Sequence, residues 1–463
     1  LQAARCATPY FSYTNSLPLI MKKMKYITLT LLIFLLISCK NDKSADSNLT
    51  YDNFYMPAEW EPQDAVWLGW ESDRRYGFYP VVIEMIKTLT PNVTVKMAFD
   101  SDSLMHTAKR YLIGQKIDTT NIKFYVIPGD RYWIRDHGAA FLVNGKGGLG
   151  VADFDWNLFG YPVFLKEKFN NNQDSVSKYM QERLPSIIRT SKVDSLMAKV
   201  EGAKIFKTNV VHEGGNIEVN GKGTLIVCES AVRHRNPNLT NEYIESEFKR
   251  VLGVSKVIWL KRGLADDPNG FFRRITGNFV GGGVQHSDEF VRFSNANTIL
   301  LAWVDESEKD LNPINKMNYE SLNESFEILK NATDQDGKKF NIVKVPLPDL
   351  KTRKIIATKE YSKEPSLDIP ANRFYISEAP KVGDTLLRVP ASSYMNYLVT
   401  NGIVLVSSYV DEGSSKEKEN RVREIFEKQF PNRKIVFINA MPQNWDGGGI
   451  HCSTQQQPSV KNN

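Results

Sequence analysis

Apolar and polar positions recur along the chain in one order: short β-rich runs, a helix with apolar residues three to four positions apart, and another short apolar run. The helices predicted from this pattern span 175–185, 240–252, 318–332 and 416–430, with a weaker one at 104–114. The strands predicted to follow them are Ile122–Ile127, Lys204–Lys207, Lys256–Leu260, Asn341–Val345 and Lys434–Ile438. We therefore count five units of one architecture, although their sequences show no readable repeat.

Paired apolar runs precede two of the helices and indicate how the strands connect. Phe141–Val143 is followed closely by Leu149–Ala152, and Asn216–Val219 by Leu225–Cys228, which is the spacing of hairpins. A doubly wound parallel sheet is the competing arrangement. Because hairpins favour mixed, partly antiparallel sheets, we predict an α/β fold of that kind.

The N-terminal segment has the order of an export signal. Residues 22–25 carry three lysines, and the apolar run Tyr26–Ile37 that follows is too short to span a bilayer comfortably. Residues 21–38 are therefore predicted to be a signal peptide, although a buried N-terminal helix is the alternative. Cys39 follows a small residue and resembles the acylated first residue of a bacterial lipoprotein. Residues 1–20 are expected to lie upstream of the true start.

The rest of the chain has the composition of a folded domain. The sequence has 463 residues, of which 41% are hydrophobic and 24% charged, and this excludes disordered, collagen-like and multi-span membrane proteins. Residues 39–53 are polar, as in a flexible tether, and 54–463 are predicted to form a single domain. We expect a lipid-anchored protein of the bacterial cell envelope, in the periplasm or at the outer membrane, whose membrane contact is the anchor alone.

Most of the net positive charge comes from the predicted signal peptide and the residues before it. Residues 1–38 contain four basic and no acidic residues, so their removal lowers the formal net charge from +6 to +2. A strongly basic surface is therefore not expected, and nucleic acid is not predicted as a partner. Only Cys228 and Cys452 lie beyond the tether, too few for a disulfide framework.

Four polar segments that follow predicted post-helix strands are candidates for one functional site. They are 131–138, 211–216, 284–290 and 445–458. If the units are equivalent, these segments emerge at the same end of the fold. We therefore expect side chains that are distant in sequence to meet there.

Cys452 and His286 carry the most reactive groups in these segments. Cys452 follows three glycines, which let a ligand approach the backbone closely, and it is either a packed thiol beside a turn or a nucleophile. His286 and Asp288 are two positions apart, so on an extended strand they face the same way. A thiol nucleophile needs a proton acceptor, which histidine can supply. A divalent cation held by His286 and Asp288 is the alternative.

Two further carboxylates, Asp136 and Glu213, lie in the same segments. Several acids near a cysteine raise the pKa of its thiol, which opposes nucleophilic attack. A substrate with a guanidinium group reverses this effect, because the cation pairs with carboxylates and favours the thiolate. The alternative is that Arg135 simply neutralises Asp136.

Segments spread over most of the chain resemble the agmatine deiminase family, which also includes the porphyromonad-type peptidylarginine deiminases. They are 56–70, 133–144, 212–229, 286–293, 318–340, 388–402 and 447–458. The resemblance runs in order over about 54–458. It implies a five-bladed α/β propeller of pseudo-fivefold ββαβ units, the pentein-type fold, in agreement with the five units counted above. It also implies that no metal or organic cofactor is used.

The same resemblance implies roles for individual residues. Cys452 matches the nucleophile of the family, His286 the general acid/base, and Glu213 the carboxylate that orients this histidine. Asp136 and Asp288 match the two carboxylates of a guanidinium clamp, and Trp133 matches a residue of the pocket wall. The implied activity is hydrolytic deimination of a small-molecule or peptide guanidino substrate through a covalent thiouronium on the cysteine.

The substrate is inferred from a stretch in which the porphyromonad-type peptidylarginine deiminases carry an arginine pair that holds a carboxylate. Here Ala152–Pro162 contains no arginine and has two acids, Asp153 and Asp155. An amine-ended substrate fits better, so we expect agmatine to be converted to N-carbamoylputrescine and ammonia. Peptidylarginine deimination is the alternative.

Two departures from the family pattern bear on this expectation. Gly449 stands where agmatine deiminases usually carry asparagine, and the segment 265–283 is longer than usual. Arg273 and Arg274 in that segment are interpreted as solvated loop charges rather than a carboxylate site. A hypothesis of another class, a surface lipoprotein that binds guanidines without turnover, requires the clamp but not the nucleophile. A homo-oligomer is compatible with the sequence.

Overall fold

The computed structural model describes residues 53–71, 77–360 and 367–461. The predicted signal peptide, Cys39 and all of the predicted tether except Asn53 lie outside the described residues. Within the described ranges, no helix combines the length and the apolar character needed to cross a membrane.

Short strands and helices alternate along the described chain. The strands are β1 (Gln63–Trp70), β2 (Thr94–Phe99), β3 (Ile122–Val126), β4 (Ala140–Val143), β5 (Leu149–Asp155), β6 (Lys204–Val211), β7 (Glu218–Val219), β8 (Thr224–Cys228), β9 (Lys256–Leu260), β10 (Phe271–Thr276), β11 (Phe279–Gly283), β12 (Val291–Asn295), β13 (Thr298–Trp303), β14 (Asn341–Pro346), β15 (Arg353–Thr358), β16 (Asp368–Pro370), β17 (Thr385–Arg388), β18 (Leu398–Thr400), β19 (Ile403–Ser407), β20 (Lys434–Ile438) and β21 (Thr454–Pro458). The helices are α1 (Phe78–Leu89), α2 (Asp102–Gly114), α3 (Ile134–His137), α4 (Tyr161–Lys168), α5 (Gln173–Thr190), α6 (Val193–Glu201), α7 (Glu229–Arg235), α8 (Asn241–Leu252), α9 (Pro313–Asn331), α10 (Lys416–Gln429) and α11 (Met441–Asn444).

Five small sheets, which we call blades, share one topology. Four of them have three strands each, in the orders β4-β5-β6, β7-β8-β9, β12-β13-β14 and β18-β19-β20. The first two strands of each blade form an antiparallel hairpin, and the third pairs parallel to the second after a helical crossover. The remaining blade, which is the first along the chain, has the order β21-β1-β2-β3. In it β21 runs antiparallel to β1, with Thr454 opposite Leu68. The predicted ββαβ unit is confirmed, and the C-terminal strand completes the first blade.

Three predicted helices, those at 240–252, 318–332 and 416–430, correspond closely to α8, α9 and α10. Each begins after a residue whose side chain accepts a hydrogen bond from a backbone N–H of the first turn. These capping residues are Thr240, Asn312 and Ser415. The helix boundaries are therefore set by local sequence.

The first blade was only partly predicted. Its crossover helix is α1, whereas the predicted helix at 104–114 is α2, which leads to the additional strand β3. The helix α1 contains the dense apolar run 81–83, whose three residues are all buried. A run of this kind is compatible with a buried strand as well as a helix, so periodicity does not distinguish the two.

A sixth sheet, in the order β10-β11-β17-β15-β16, is built from two insertions between blade strands. The two insertions join where β11 pairs parallel to β17, with Val280 opposite Arg388. The interpretation of Arg273 and Arg274 as solvated loop charges is wrong, because both lie on β10. Nε of Arg273 lies 3.2 Å from a Glu378 carboxylate oxygen, so this guanidinium already has a partner in the inserted sheet.

Buried ionisable side chains, which we call the hub network, connect the blades. The network consists of Glu59, Arg135, Glu218, Arg292 and His451, each at most 9% exposed. Arg292 of β12 lies 2.8 Å from Glu59, which precedes β1, and 2.7 Å from Glu218 of β7. Arg292 also donates to the backbone carbonyl of Tyr397, which directly precedes β18, at 2.7 Å. Glu59 in turn lies 2.8 Å from His451 and 3.9 Å from Arg135 of α3.

Within the hub network, Glu59 keeps its charge because it is paired, whereas burial raises the pKa of Glu218 to about 7 and lowers the pKa of His451. Burial alone would raise the pKa of Glu59, but Arg292 and His451 together lower it well below its usual range. Removing one member would leave another charge buried without compensation, which is more costly than the pair is favourable.

We predict that Arg292→Met strongly destabilises the fold, because it leaves Glu59 and Glu218 without their closest cation. The expected loss in the free energy of unfolding is about 3–5 kcal/mol, measured by urea denaturation. The control is Arg262→Met, which removes an ion pair with Glu324 whose side chains are 55% and 41% exposed. That change is expected to cost less than about 1 kcal/mol. Equal losses in the two variants would contradict the proposed importance of the hub network.

Candidate active site

The predicted site residues lie in segments that separate the blades, and the structure brings them together. Asp136 lies in α3, Glu213 directly precedes a 3₁₀ turn at Gly214–Asn216, and His286 directly precedes the turn Ser287–Glu289, which contains Asp288. Cys452 lies just before β21. All five side chains are buried, none more than 6% exposed.

His286 lies between two carboxylates. Its Nε2 is 3.3 Å from Glu213 Oε2, and its Nδ1 is 3.4 Å from Asp136 Oδ1. Burial alone would lower the pKa of His286, but these two acids raise it to about 9. The imidazole is therefore protonated at neutral pH and can act as an acid.

The two carboxylates beside His286 differ in their own surroundings. Burial would raise the pKa of Glu213, but Arg235, whose Nε is 3.1 Å from Glu213 Oε1, and His286 lower it to about 2. Burial raises the pKa of Asp136 to about 7; His286 opposes this rise and Asp288 adds to it. Glu213 is thus a permanent anion that orients the imidazolium, whereas Asp136 changes its charge readily.

The paired glycines after Glu213 let these groups approach one another. A Cβ atom on Gly215 would lie 2.4 Å from His286 Nδ1, 2.9 Å from Asp136 Oδ1 and 3.1 Å from Asp288 Oδ2. No side chain fits there without displacing the three groups. The backbone N–H of Gly215 also donates to Asp136 Oδ1 at 3.3 Å.

The prediction that His286 and Asp288 share one face of a strand is wrong in its local detail. The two residues lie at a 3₁₀ turn, and β12 begins only after it. The turn is held by Asn216, whose side-chain oxygen accepts from the backbone N–H of Ser287 at 3.2 Å. Both side chains nevertheless point to the same place, as their common approach to Gly215 shows.

The thiol of Cys452 is surrounded by acids and one amide. Its Sγ lies 3.6 Å from Asp288 Oδ2, 4.0 Å from Glu289 Oε1 and 3.1 Å from Asn396 Nδ2. Burial, followed by the charges of Asp288 and Glu289, raises the pKa of the thiol well above its usual value. Without a cationic ligand, Cys452 therefore remains a thiol at neutral pH.

Asp288 connects the nucleophile to the hub network through His451. The imidazole Nδ1 lies 2.7 Å from Asp288 Oδ2, and Nε2 lies 2.8 Å from Glu59 Oε2. Burial would raise the pKa of Asp288, but its contact with His451 lowers it. Asp288 is therefore an anion next to the sulfur.

A cavity of about 200 Å³ opens onto Cys452 and Asp136. Its walls include Trp133, as predicted, and the apolar side chains of Leu158 and Phe159. A Cβ atom on Gly448 would lie 2.8 Å from the Trp133 ring and 3.3 Å from Cys452 Cβ, so this glycine lets the indole lie against the nucleophile. The remaining lining residues come mainly from the inserted sheet and the glycine-rich segment: Phe272, Gly282, Gly283, Val284, Asp368, Ile369, Arg373, Arg388, Asp446 and Gly447.

The acids used to infer the substrate do not line this cavity. The stretch 152–162 contributes Leu158 and Phe159 to it, whereas Asp153 lies 3.6 Å from Lys207 at another position. Asp155 is at the end of β5 and is exposed. The preference for an amine-ended substrate therefore cannot rest on Asp153 and Asp155.

Three described groups have spacing that would suit a metal ion. Ligand atoms of Asp288, Glu289 and Cys452 all lie within 4.8 Å of one another. His286 is not in this group, so the alternative of a cation held by His286 and Asp288 does not match the arrangement. A guanidinium, which is planar and positive, can use the same carboxylates without a metal.

Four residues of the site were not singled out from the sequence: Glu59, Glu289, Asn396 and His451. Glu289 and His451 adjoin Asp288 and Cys452, so a wider search around the predicted residues would have found them. Glu59 and Asn396 lie in segments that carry the family resemblance, but no spacing or composition signal marks them.

Comparisons with known proteins agree with this arrangement. The model of the Porphyromonas-type peptidyl-arginine deiminase family matches residues 55–458. Agmatine deiminase of Pseudomonas putida strain F1 is 29% identical over 425 residues, which cover 90% of this chain and 99% of the relative. Agmatine deiminase of Medicago truncatula is 27% identical over 422 residues, covering 89% and 98%. The solved agmatine deiminase of Enterococcus faecalis has a TM-score of 0.65 at 24% identity, covering 89% and 97%, which confirms the predicted fold class.

We predict that Glu213→Gln lowers the pKa of His286 from about 9 by roughly one unit or more. The carboxylate stabilises the imidazolium, so without it the proton leaves at lower pH. The measurement is the pH dependence of the His286 side-chain ¹⁵N signals by NMR. The control is Glu229→Gln, which removes a partner of Lys261 elsewhere on the fold. An unchanged His286 titration in Glu213→Gln would contradict this account.

Proposed function

The chain belongs to the Porphyromonas-type peptidyl-arginine deiminase family, and on this premise we propose that it is a hydrolase that deiminates a guanidino substrate. The observation that carries the proposal is the Cys452 thiol, 3.6 Å from the Asp288 carboxylate and lining an open cavity. A protein that only binds guanidines needs the carboxylates. It does not need a thiol among them or a charged histidine between Asp136 and Glu213.

The substrate that we propose is agmatine, which would give N-carbamoylputrescine and ammonia. Support comes from the relative of that name in Pseudomonas putida, which is similar over 90% of this chain. It also comes from the cavity, where Asp136 lies next to the nucleophile and apolar walls at Trp133, Leu158 and Phe159 suit a short aliphatic chain.

Arginine carried by a peptide is the second candidate substrate. The observation that favours it is the lining of the cavity, to which the insertions contribute Arg373 and Arg388. Guanidinium groups in a substrate cavity suit a substrate carboxylate. The lining also contains Asp368 and Asp446, which suit an amine, so direct comparison of substrates decides between the two.

In the first half of the reaction, the guanidinium binds between Asp136 and Asp288 and brings positive charge next to Cys452. The thiol then loses its proton to water in the cavity, since His286 is already protonated and cannot accept it. The thiolate attacks the guanidinium carbon to give a tetrahedral adduct. His286 donates a proton to the departing nitrogen, ammonia leaves, and a thiouronium remains on the sulfur.

In the second half, water replaces ammonia. His286 is now neutral and accepts a proton from the water whose oxygen adds to the thiouronium carbon. Collapse of this adduct breaks the carbon–sulfur bond and releases the ureido product. The hydroxyl proton of the adduct passes to the departing Cys452 thiolate, which restores the thiol, and ammonia takes up the proton that the thiol gave to water in the first half. One water is consumed and one ammonia is formed. His286 Nδ1 has no hydrogen-bond partner within the described part of the chain, which leaves it available to the substrate.

We predict that Cys452→Ala abolishes ammonia release from agmatine, because no other thiol is among the described residues that line the cavity. Ammonia and ureido product are measured together in the same reaction. The control is Cys228→Ala, since Cys228 is a free thiol buried in β8 whose pKa burial raises to about 11. Retention of substantial turnover in Cys452→Ala would remove this residue from the role.

The wild-type protein is tested against agmatine, free arginine, and peptides with internal or C-terminal arginine. Preference for agmatine supports the first candidate, and preference for a peptide supports the second. Binding of any of them without ammonia release would favour a guanidine-binding lipoprotein.

We also propose that the protein is exported and anchored through a lipid on Cys39. The support is the sequence order of lysines, apolar run and small residue before Cys39. We predict that Cys39→Ala moves the protein from the membrane fraction to the soluble fraction of cell extracts, with deiminase activity retained. The control is Cys228→Ala, which changes a buried thiol of β8 and should leave the protein in the membrane fraction; the same fractionation for both variants would exclude the anchor.

A further inference from the structure

Asn396 bridges the nucleophile and an acidic neighbour. It lies just before β18 and is 1% exposed. Its side-chain oxygen accepts from the backbone N–H of His451 at 2.8 Å and, more weakly, from that of Cys452 at 3.4 Å. Because these donors determine which end of the amide is the oxygen, the NH₂ group must point the other way. Its Nδ2 lies 3.1 Å from Cys452 Sγ and 2.8 Å from Glu289 Oε1.

Gly449 makes this position available to Asn396. A Cβ atom at Gly449 would lie 2.5 Å from Asn396 Oδ1, so any side chain there would displace the amide. Burial and the nearby acids raise the pKa of the Cys452 thiol, and a backbone hydrogen bond at Gly449 opposes them. The glycine-rich segment and Asn396 are therefore packed as one unit around the sulfur.

The sulfur of Cys452 carries negative charge twice in each turnover, when it attacks and when it is released. At both moments it is close to Asp288 and Glu289, which disfavour that charge. A fixed N–H donor aimed at the sulfur stabilises the thiolate without reorganising during the reaction. Asn396 supplies such a donor from the segment just before β18.

We propose that Asn396 is a catalytic residue whose amide donates one N–H to the Cys452 thiolate and its other N–H to Glu289, and that the carboxyl group of Glu289 opposes negative charge on the sulfur. The catalytic consequence rests on the proposed deiminase function. The hydrogen bond itself acts on the thiolate whether or not a substrate is present.

Substitutions of Asn396 and of Glu289 are expected to shift the pKa of the Cys452 thiol in opposite directions. Asn396→Ala removes the donor, so the pKa of Cys452 should rise by about one unit. Burial and the neighbouring carboxylates raise the pKa of Glu289 itself well above its usual value. Where Glu289 is ionised, its charge raises the pKa of Cys452, so Glu289→Gln, which keeps the shape of the side chain 4.0 Å from the sulfur, should lower the pKa of the thiol. A loss of local packing alone does not predict pKa shifts of opposite sign in the two variants.

The experiment measures the rate of Cys452 alkylation by iodoacetamide against pH in the full-length chain. Mass spectrometry of the Cys452 peptide separates this cysteine from the other three. The expected result is a midpoint at higher pH for Asn396→Ala and at lower pH for Glu289→Gln. An unchanged or lowered midpoint in Asn396→Ala would overturn the proposal, as would shifts of the same sign in the two variants.

Kinetics with agmatine provide the second readout. Asn396→Ala is expected to lower kcat by about 10²-fold with a smaller change in KM, as for loss of one donor to a developing anion. The matched control is Asn220→Ala, because Asn220 is also buried and hydrogen-bonded but lies beside the β7–β8 turn. Equal losses of kcat in both variants would overturn the proposal. If the wild-type protein releases no ammonia from any guanidine, the proposed function fails, while the alkylation midpoints still test the hydrogen bond.

Discussion

Pairing of buried charges is the constraint on which this structure depends. Arg292 contacts Glu59 and Glu218, which belong to segments of different blades, and Glu59 continues the network to His451. A charge on any of these groups is costly in a dry interior, and each group lies next to a partner that only the assembled blades provide. The blades are small sheets, and apolar side chains from three of them, including Ile226, Ile299 and Val404, also pack in one cluster. The hub network therefore helps to fix the positions of the blades relative to one another.

The active site uses the same charges at its floor. His451 links Glu59 to Asp288, which keeps Asp288 ionised beside the Cys452 sulfur. Acids outnumber cations around this thiol, so the nucleophile is inactive until positive charge arrives. A guanidinium ion supplies that charge and the several N–H donors that the carboxylates accept. Binding and activation of the nucleophile are thus one electrostatic event, and neutral molecules that enter the cavity do not produce it.

The inserted sheet changes the cavity without changing this chemistry. The residues around the reacting atoms come from segments between blades. The lining residues Phe272, Ile369 and Arg388 come from the insertions. The insertions have their own apolar core, which includes Val280 and Ile355. Changes in the insertions can therefore alter which distal substrate groups are preferred, while the residues around the reacting atoms stay the same.

The amino-acid sequence by itself determined the repeated hairpin, helix and strand, because amphipathic periodicity and helix caps are local properties. It also identified Cys452, His286 and the three carboxylates as reactive groups, since their chemistry belongs to the residue type. It did not identify α1, the role of Asn396 or the true positions of Asp153 and Asp155. Only the tertiary structure decided those, together with the charge of His286 and the pairing of β21 with β1. The physical reason is that the electrostatic surroundings of a buried group are a sum over neighbours hundreds of positions apart, and no local pattern encodes that sum.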